Sequence, residues 1–104
     1  MSNLPEPFTR FRESYPEIAA AYETVGELLQ KAGPLDSKTL QLIKLALAVG
    51  AGLEGAVHSH TRRALELGVT PEEINATVIQ GVTTLGFPAT IRALTWVADI
   101  LDKK

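Results

Sequence analysis

The chain has 104 residues, a length that fits one small domain. Ten basic and twelve acidic residues give a net charge of −2, and neither sign forms a long run, which argues against nucleic-acid or anionic-membrane partners. Cysteine is absent, so disulfides, thiolate metal sites and cysteine nucleophiles are excluded.

The N-terminal arm, residues 1–13, is polar and contains proline, unlike a secretory signal. The longest apolar stretch, residues 42–53, is interrupted by Lys44 and is shorter than the roughly 20 residues that a membrane span needs. We therefore expect a cytoplasmic protein without a membrane segment.

Strand-like alternation is missing, whereas helix start and stop signals recur, so the chain is predicted to be all α. Ser14, followed by Pro16 and Glu17, resembles a capping box that opens the first helix. Gly33 and Pro34 end that helix. Its apolar stripe consists of Ile18, Tyr22, Val25 and Leu29.

The second helix starts at a cap formed by Asp36 or Ser37 and is apolar nearly all round, apart from Gln41 and Lys44. Such a helix is buried on most sides. The glycines at positions 50 and 52 break it before the third helix.

The third helix is predicted over residues 53–67, and Gly68 ends it. The fourth begins at the cap formed by Thr70, Pro71 and Glu73 and closes at Gly86. Its predicted stripe is Ile74, Val78, Val82 and Leu85. The fifth opens at Pro88, and its predicted inward stripe is Ile91, Leu94, Ala98 and Leu101. No repeat or linker divides residues 1–104, which predicts a single domain.

His60 lies in the middle of the apolar face of the third helix and should be partly buried. Its role is open between a core histidine bound to a backbone carbonyl and a functional group. His58 lies about 200° round the helix, so the two histidines cannot chelate one metal, and we expect no metal ion or cofactor. His58 shares a face with Glu54 and Arg62, which predicts solvated ion pairs, unless an irregular junction at Gly52 turns Glu54 or His58 into a cavity.

The stretch GAGLEGAVHSHTRRALELGVT, residues 50–70, carries a Glu and a His in a spacing typical of one protein superfamily. It resembles the Cys-Glu-x-Cys-x-x-x-His run, followed by Ala-Leu-x-x-Gly-x-Thr, of the alkylhydroperoxidase D and carboxymuconolactone decarboxylase superfamily. Glu54 and His60 match, whereas Leu53 and Ala56 stand at the cysteine positions and Gln41 at the glutamate proton relay. The resemblance covers about residues 35–101.

The resemblance implies a five- to six-helix bundle that oligomerises through its helices, as a hexamer arranged as a trimer of dimers. A hydrophobic content of 45% also favours association, because so small a domain cannot readily bury it. The family resemblance implies further that His60 points into the active-site cavity and that Gln41 faces the same cavity. Gln41, Glu54 and His58 complete the candidate catalytic set with His60.

Two functions remain open. One is a non-redox acid/base enzyme, similar to the decarboxylase branch and lyase-like, that acts on a small carboxylated or lactone-like substrate through His60. The other is a non-catalytic oligomeric scaffold or small-ligand binder. Peroxidase activity is disfavoured, because no thiolate can form in this chain.

Overall fold

The computed structural model describes residues 6–103, which contain helices and no strand. The elements are α1 Glu6–Ser14, α2 Pro16–Gln30, α3 Ser37–Ala51, α4 Glu54–Glu66, α5 Pro71–Ile79, a 3-10 turn Gln80–Val82, and α6 Phe87–Leu101. The predicted all-α class is confirmed, and the six α-helices of the described residues agree with the five- to six-helix bundle that the resemblance implies, although the helix signals along the chain predicted only five. Among the described residues, no helix is long and apolar enough to cross a membrane. The chain divides into two compact units, one with α1 and α2 and the other with α3 to α6.

The first unit differs from the sequence prediction at its start. Residues 6–13 of the predicted arm belong to α1, and residues 1–5 lie outside the described part. Ser14 ends α1 and does not cap α2, whose N-cap is Tyr15, without a side-chain hydrogen bond. Pro16 occupies the first turn of α2, where its missing N–H costs nothing. The predicted apolar stripe of α2 is exposed, with Tyr22 at 68%.

The core of the second unit is formed by small and medium apolar side chains. They are Leu45, Ala48, Val49, Val57, Ala64, Val69, Ile74, Val78, Ala93 and Val97. Helix α3 buries one face only, since Leu47 is 67% exposed, so the expectation that α3 is buried on most sides is wrong. The carboxylate of Asp36 accepts the Thr39 N–H at 2.8 Å and caps α3. Gly52, at a φ of +69°, ends the helix.

Helices α5 and α6 close the second unit. Thr70 and Glu73 form the predicted reciprocal capping box. Helix α5 ends at Ile79 and gives way to the 3-10 turn, so the continuous helix predicted as far as Gly86 is wrong, and its last two stripe residues are exposed. In α6 the fully buried side chains are Thr90, Ala93 and Val97. Of the predicted inward residues, Leu94 and Leu101 pack partly against the core, whereas Ile91 is 43% exposed.

Trp96 is half-buried and packs against the core. The Arg92 guanidinium lies 5.0 Å from the centre of its ring. Helix α6 is apolar on more than one side, so periodicity alone left the inward face ambiguous.

Candidate functional site

Helices α3 and α4 bring Gln41 and His60 into direct contact. Gln41 lies on the buried face of α3 and is only 5% exposed. Its Nε2 is 2.6 Å from Nδ1 of His60, which is half-buried on α4. The expected partial burial of His60 is confirmed. A side-chain amide of α3, rather than a backbone carbonyl, is the partner of the ring nitrogen.

The surroundings of His60 favour the neutral form of its imidazole. Burial lowers the pKa of His60 below its ordinary value, and the positive charges of Arg63 and Lys44 lower it further. Each cation lies three residues after a member of the pair, Lys44 after Gln41 and Arg63 after His60. Residues three apart on a helix share a face, so the two charges and the pair belong to the same region. The site therefore combines an imidazole whose neutral form is favoured with nearby positive charge.

A glutamine can hold either neutral form of the histidine. With Nε2 of Gln41 as the donor, Nδ1 of His60 accepts and the imidazole carries its proton on Nε2. When the amide turns over, its oxygen accepts from a protonated Nδ1, and the histidine Nε2 is free to take a proton. A carboxylate at position 41 would support only the second arrangement, because it has no donor.

Leu53 and Ala56 stand at the two positions that carry cysteine in the superfamily that the chain resembles. Both side chains are apolar, and they differ in exposure. Leu53 is the N-cap of α4, without a side-chain hydrogen bond, and is 54% exposed. Ala56 is partly buried and packs against the core. Neither side chain can transfer electrons or protons.

The other two predicted site residues belong to a different group. The carboxylate of Asp99, on α6, lies 3.0 Å from Nε2 of His58. The ligand atoms of Glu54, His58 and Asp99 all lie within 4.8 Å of one another. Ion pairs of His58 with Glu54 and Arg62 were predicted, but the structure pairs His58 with Asp99, which is 41 residues further along the chain. The structure divides the four predicted residues into the pair Gln41 and His60 and the pair Glu54 and His58.

A separate apolar pocket of about 210 Å³ lies between the C-terminal half of α3 and the region of α5 and the 3-10 turn. His60 is not among its lining residues. They are Ala46, Val49, Gly50, Thr77, Val78, Gln80, Gly81, Thr84 and Leu85.

Three residues near these sites were not predicted from the sequence. Lys44 and Arg63 had a local signal, since helical spacing places each beside a predicted site residue. Asp99 had none, because only the packing of α6 brings it to α4.

The helices and the contact between Gln41 and His60 occur in a fold known from other proteins. This chain differs at Leu53 and Ala56, which stand where the superfamily that it resembles has cysteine. Residues 16–99 match the model of the carboxymuconolactone decarboxylase family, and the chain belongs to that family. The match begins nineteen residues before position 35, where the sequence resemblance began, and it includes α2.

Two relatives are similar over much of the chain. A crystal structure of an apo carboxymuconolactone decarboxylase family protein from Legionella pneumophila superimposes with a TM-score of 0.80 at 28% identity, covering 92% of this chain and 86% of that one. A protein of Haemophilus influenzae described as uncharacterized is 32% identical over 63 residues, which are 61% of this chain. The match spans 56% of that relative's length.

Proposed function

We propose that this protein is a non-redox acid/base enzyme in which His60 transfers a proton to or from a small carboxylated or lactone-like substrate. The contact between Gln41 and His60 is the observation that supports this most directly. A half-buried histidine held by a buried amide has a fixed ring position and one free nitrogen, which general acid/base catalysis needs. The reaction class is lyase-like, as in the decarboxylase branch that the chain resembles.

The proton has a defined path at His60. When the Gln41 oxygen accepts from Nδ1–H, the histidine Nε2 takes a proton from the substrate, and the resulting imidazolium returns it to the product. In a decarboxylation, a substrate carboxylate leaves as carbon dioxide and the electron pair of the broken C–C bond stays on carbon. The imidazolium, which has taken its proton from solvent, then protonates that carbon and returns to the neutral form. Gln41 is a positioning residue in both cases.

The charge around His60 favours an anionic substrate. Lys44 and Arg63 both act on the imidazole, and a carboxylate bound between them would offset their repulsion of the imidazolium. Such an anion would raise the pKa of His60 towards neutrality, where proton transfer in both directions is efficient.

A panel of small carboxylic acids and lactones tests this function. Binding is followed by ligand-induced thermal stabilisation, and turnover by NMR of the ligand. We expect at least one carboxylate to stabilise the wild-type protein and to be converted, with conversion lost in His60→Gln. Conversion that persists in His60→Gln would contradict the proposal. The Glu72→Gln variant controls for the introduction of a glutamine elsewhere, because Glu72 is exposed on α5.

The alternative of a non-catalytic scaffold or ligand binder is favoured by one observation. The surface of the pocket of about 210 Å³ beside α3 is mostly apolar, as a binding site for a small apolar ligand would be. Gly50 lines this pocket, and a side chain added there meets only Leu85, at an ordinary contact distance of 3.9 Å. Stabilisation by apolar ligands that is blocked by Gly50→Leu and insensitive to His60→Gln would support this alternative instead.

We further propose that copies of this chain associate, as a hexamer arranged as a trimer of dimers, in the cytoplasm. Large apolar side chains are exposed in both units, among them Tyr22 and Leu28 on α2 and Leu47 on α3. Their exposure to water is unfavourable, and a second copy would remove it. Light scattering at micromolar concentration should give a mass well above the 11.2 kDa of one chain, and a stable monomer would contradict the proposal.

A further inference from the structure

The group formed by Glu54, His58 and Asp99 is outside the chemistry proposed for His60. His58 and His60 lie about 200° apart round α4, so they face different neighbours. His60 meets Gln41 on α3, whereas His58 meets Asp99 on α6. The proton transfer at His60 therefore leaves the three side chains of this second group without an assigned role.

The three side chains have the spacing that ligands of one ion need. Glu54 and His58 are four residues apart on α4, which places them on the same face. Asp99 approaches from α6, and its Oδ2 is 3.0 Å from Nε2 of His58. All three ligand atoms lie within 4.8 Å of one another.

An ion can reach all three atoms after a small adjustment. Atoms that are no more than 4.8 Å apart all lie within about 2.8 Å of a common point. Bonds from zinc to histidine nitrogen or carboxylate oxygen are about 2.0 to 2.2 Å, so each ligand atom needs to move by less than about 1 Å. The side chains of Asp99 and His58 are 51% and 23% exposed, which leaves room for that movement and for water on the open side of the ion.

We propose that Glu54, His58 and Asp99 bind a divalent transition-metal ion that joins α4 to α6. Two carboxylates supply the charge that balances such a cation, and the imidazole supplies the nitrogen ligand typical of zinc-like ions. Nε2 of His58 coordinates the ion in place of its hydrogen bond to Asp99. Because only three ligands come from the protein, water completes the coordination shell.

The set of ligands also limits the kind of ion. One imidazole and two carboxylates suit zinc, cobalt, nickel or manganese better than copper(I), which prefers thiolate and thioether ligands. An all-oxygen ion such as calcium would gain little from His58, because it takes six to eight oxygen ligands. Zinc chloride is therefore the appropriate probe.

Zinc binding is measured by isothermal titration calorimetry on the full chain, freed of metal by a chelator. We expect one zinc ion per chain. Loss of an outer-shell partner of a metal already costs about tenfold in affinity, so removal of a direct ligand in His58→Gln or Asp99→Asn should raise the dissociation constant by at least about tenfold. Thermal unfolding of the wild type should shift upwards with zinc concentration, because the ion binds the folded state. That shift should be lost in the same two variants.

The second histidine supplies the matched control. His60→Gln removes one of the two imidazoles in the chain but none of the proposed ligands, so its zinc affinity should equal that of the wild type. Asp99→Asn preserves the shape of the side chain and guards against a folding defect. Absence of saturable zinc binding to the wild type, binding that survives in His58→Gln, or an equal loss in His60→Gln would overturn the proposal.

Discussion

Two replacements of His60 separate its hydrogen bond from its chemistry. His60→Gln keeps an oxygen that can accept the N–H of Gln41, whereas His60→Leu leaves the amide of Gln41 without that partner. Gln41 is 5% exposed, so water replaces the lost partner poorly. A buried polar group left unsatisfied costs about 1 to 3 kcal/mol. His60 is only half-buried, so some water can reach the amide of Gln41 after the replacement. We therefore expect His60→Leu to lower the free energy of unfolding by about 1 to 2 kcal/mol and His60→Gln by less than about 1 kcal/mol.

Urea unfolding followed by circular dichroism measures both changes, at a pH where His60 is neutral and at one protein concentration, since association alters apparent stability. Ligand binding and turnover are measured beside it. If His60 is functional, His60→Gln loses turnover and keeps nearly all its stability. A loss of stability in His60→Gln as large as that in His60→Leu, with ligand binding unchanged, would refute the reasoning and make His60 a structural residue.

A double-mutant cycle with Gln41→Leu checks that the two residues act together. The pair Gln41→Leu and His60→Leu should show a coupling energy of about 0.5 to 1.5 kcal/mol, the net value of one hydrogen bond. Additive losses would show that the short distance between the two side chains contributes no stability.

Three further predictions concern pH, redox chemistry and helix capping. Folding lowers the pKa of His60, so below about pH 7 the unfolded chain binds more protons than the folded one. The free energy of unfolding should therefore fall as the pH drops from about 6.5 towards the pKa of the folded state. Urea unfolding should show a smaller dependence on pH in His60→Gln. The chain should not reduce peroxide with a dithiol as the electron donor, and such turnover by the unaltered chain would contradict this. Cysteine at positions 53 and 56 should give this activity only when Gln41→Glu is added. Thr70→Ala removes the side-chain acceptor of the α5 capping box and should cost about 1 kcal/mol in urea unfolding, and an unchanged midpoint would contradict the cap's role.

Local signals in the sequence were enough to locate most helix boundaries of the second unit. The Thr70 capping box and the Asp36 cap each involve residues three apart, so their geometry depends on the neighbouring backbone alone. Glycine at position 52 ends α3 for a similar reason, because its φ of +69° is unfavourable for other residues. The partial burial of His60 also followed from its place on one helix face, and the family resemblance suggested Gln41 as its neighbour.

Tertiary packing decided two features that the sequence did not. One is the group formed by Glu54, His58 and Asp99, and the other is which face of each helix is buried. Asp99 is 41 residues from His58, and no local pattern distinguishes it from any other exposed carboxylate. In α6, several faces are apolar, so the neighbouring helices decided that Ala93 and Val97 are buried and Ile91 is not. Helix α5 ends at Ile79 although its apolar period continues through Val82 to Leu85. Hydrophobic period and capping act within a few residues, whereas contacts between helices are set by which surfaces fit together over the whole unit.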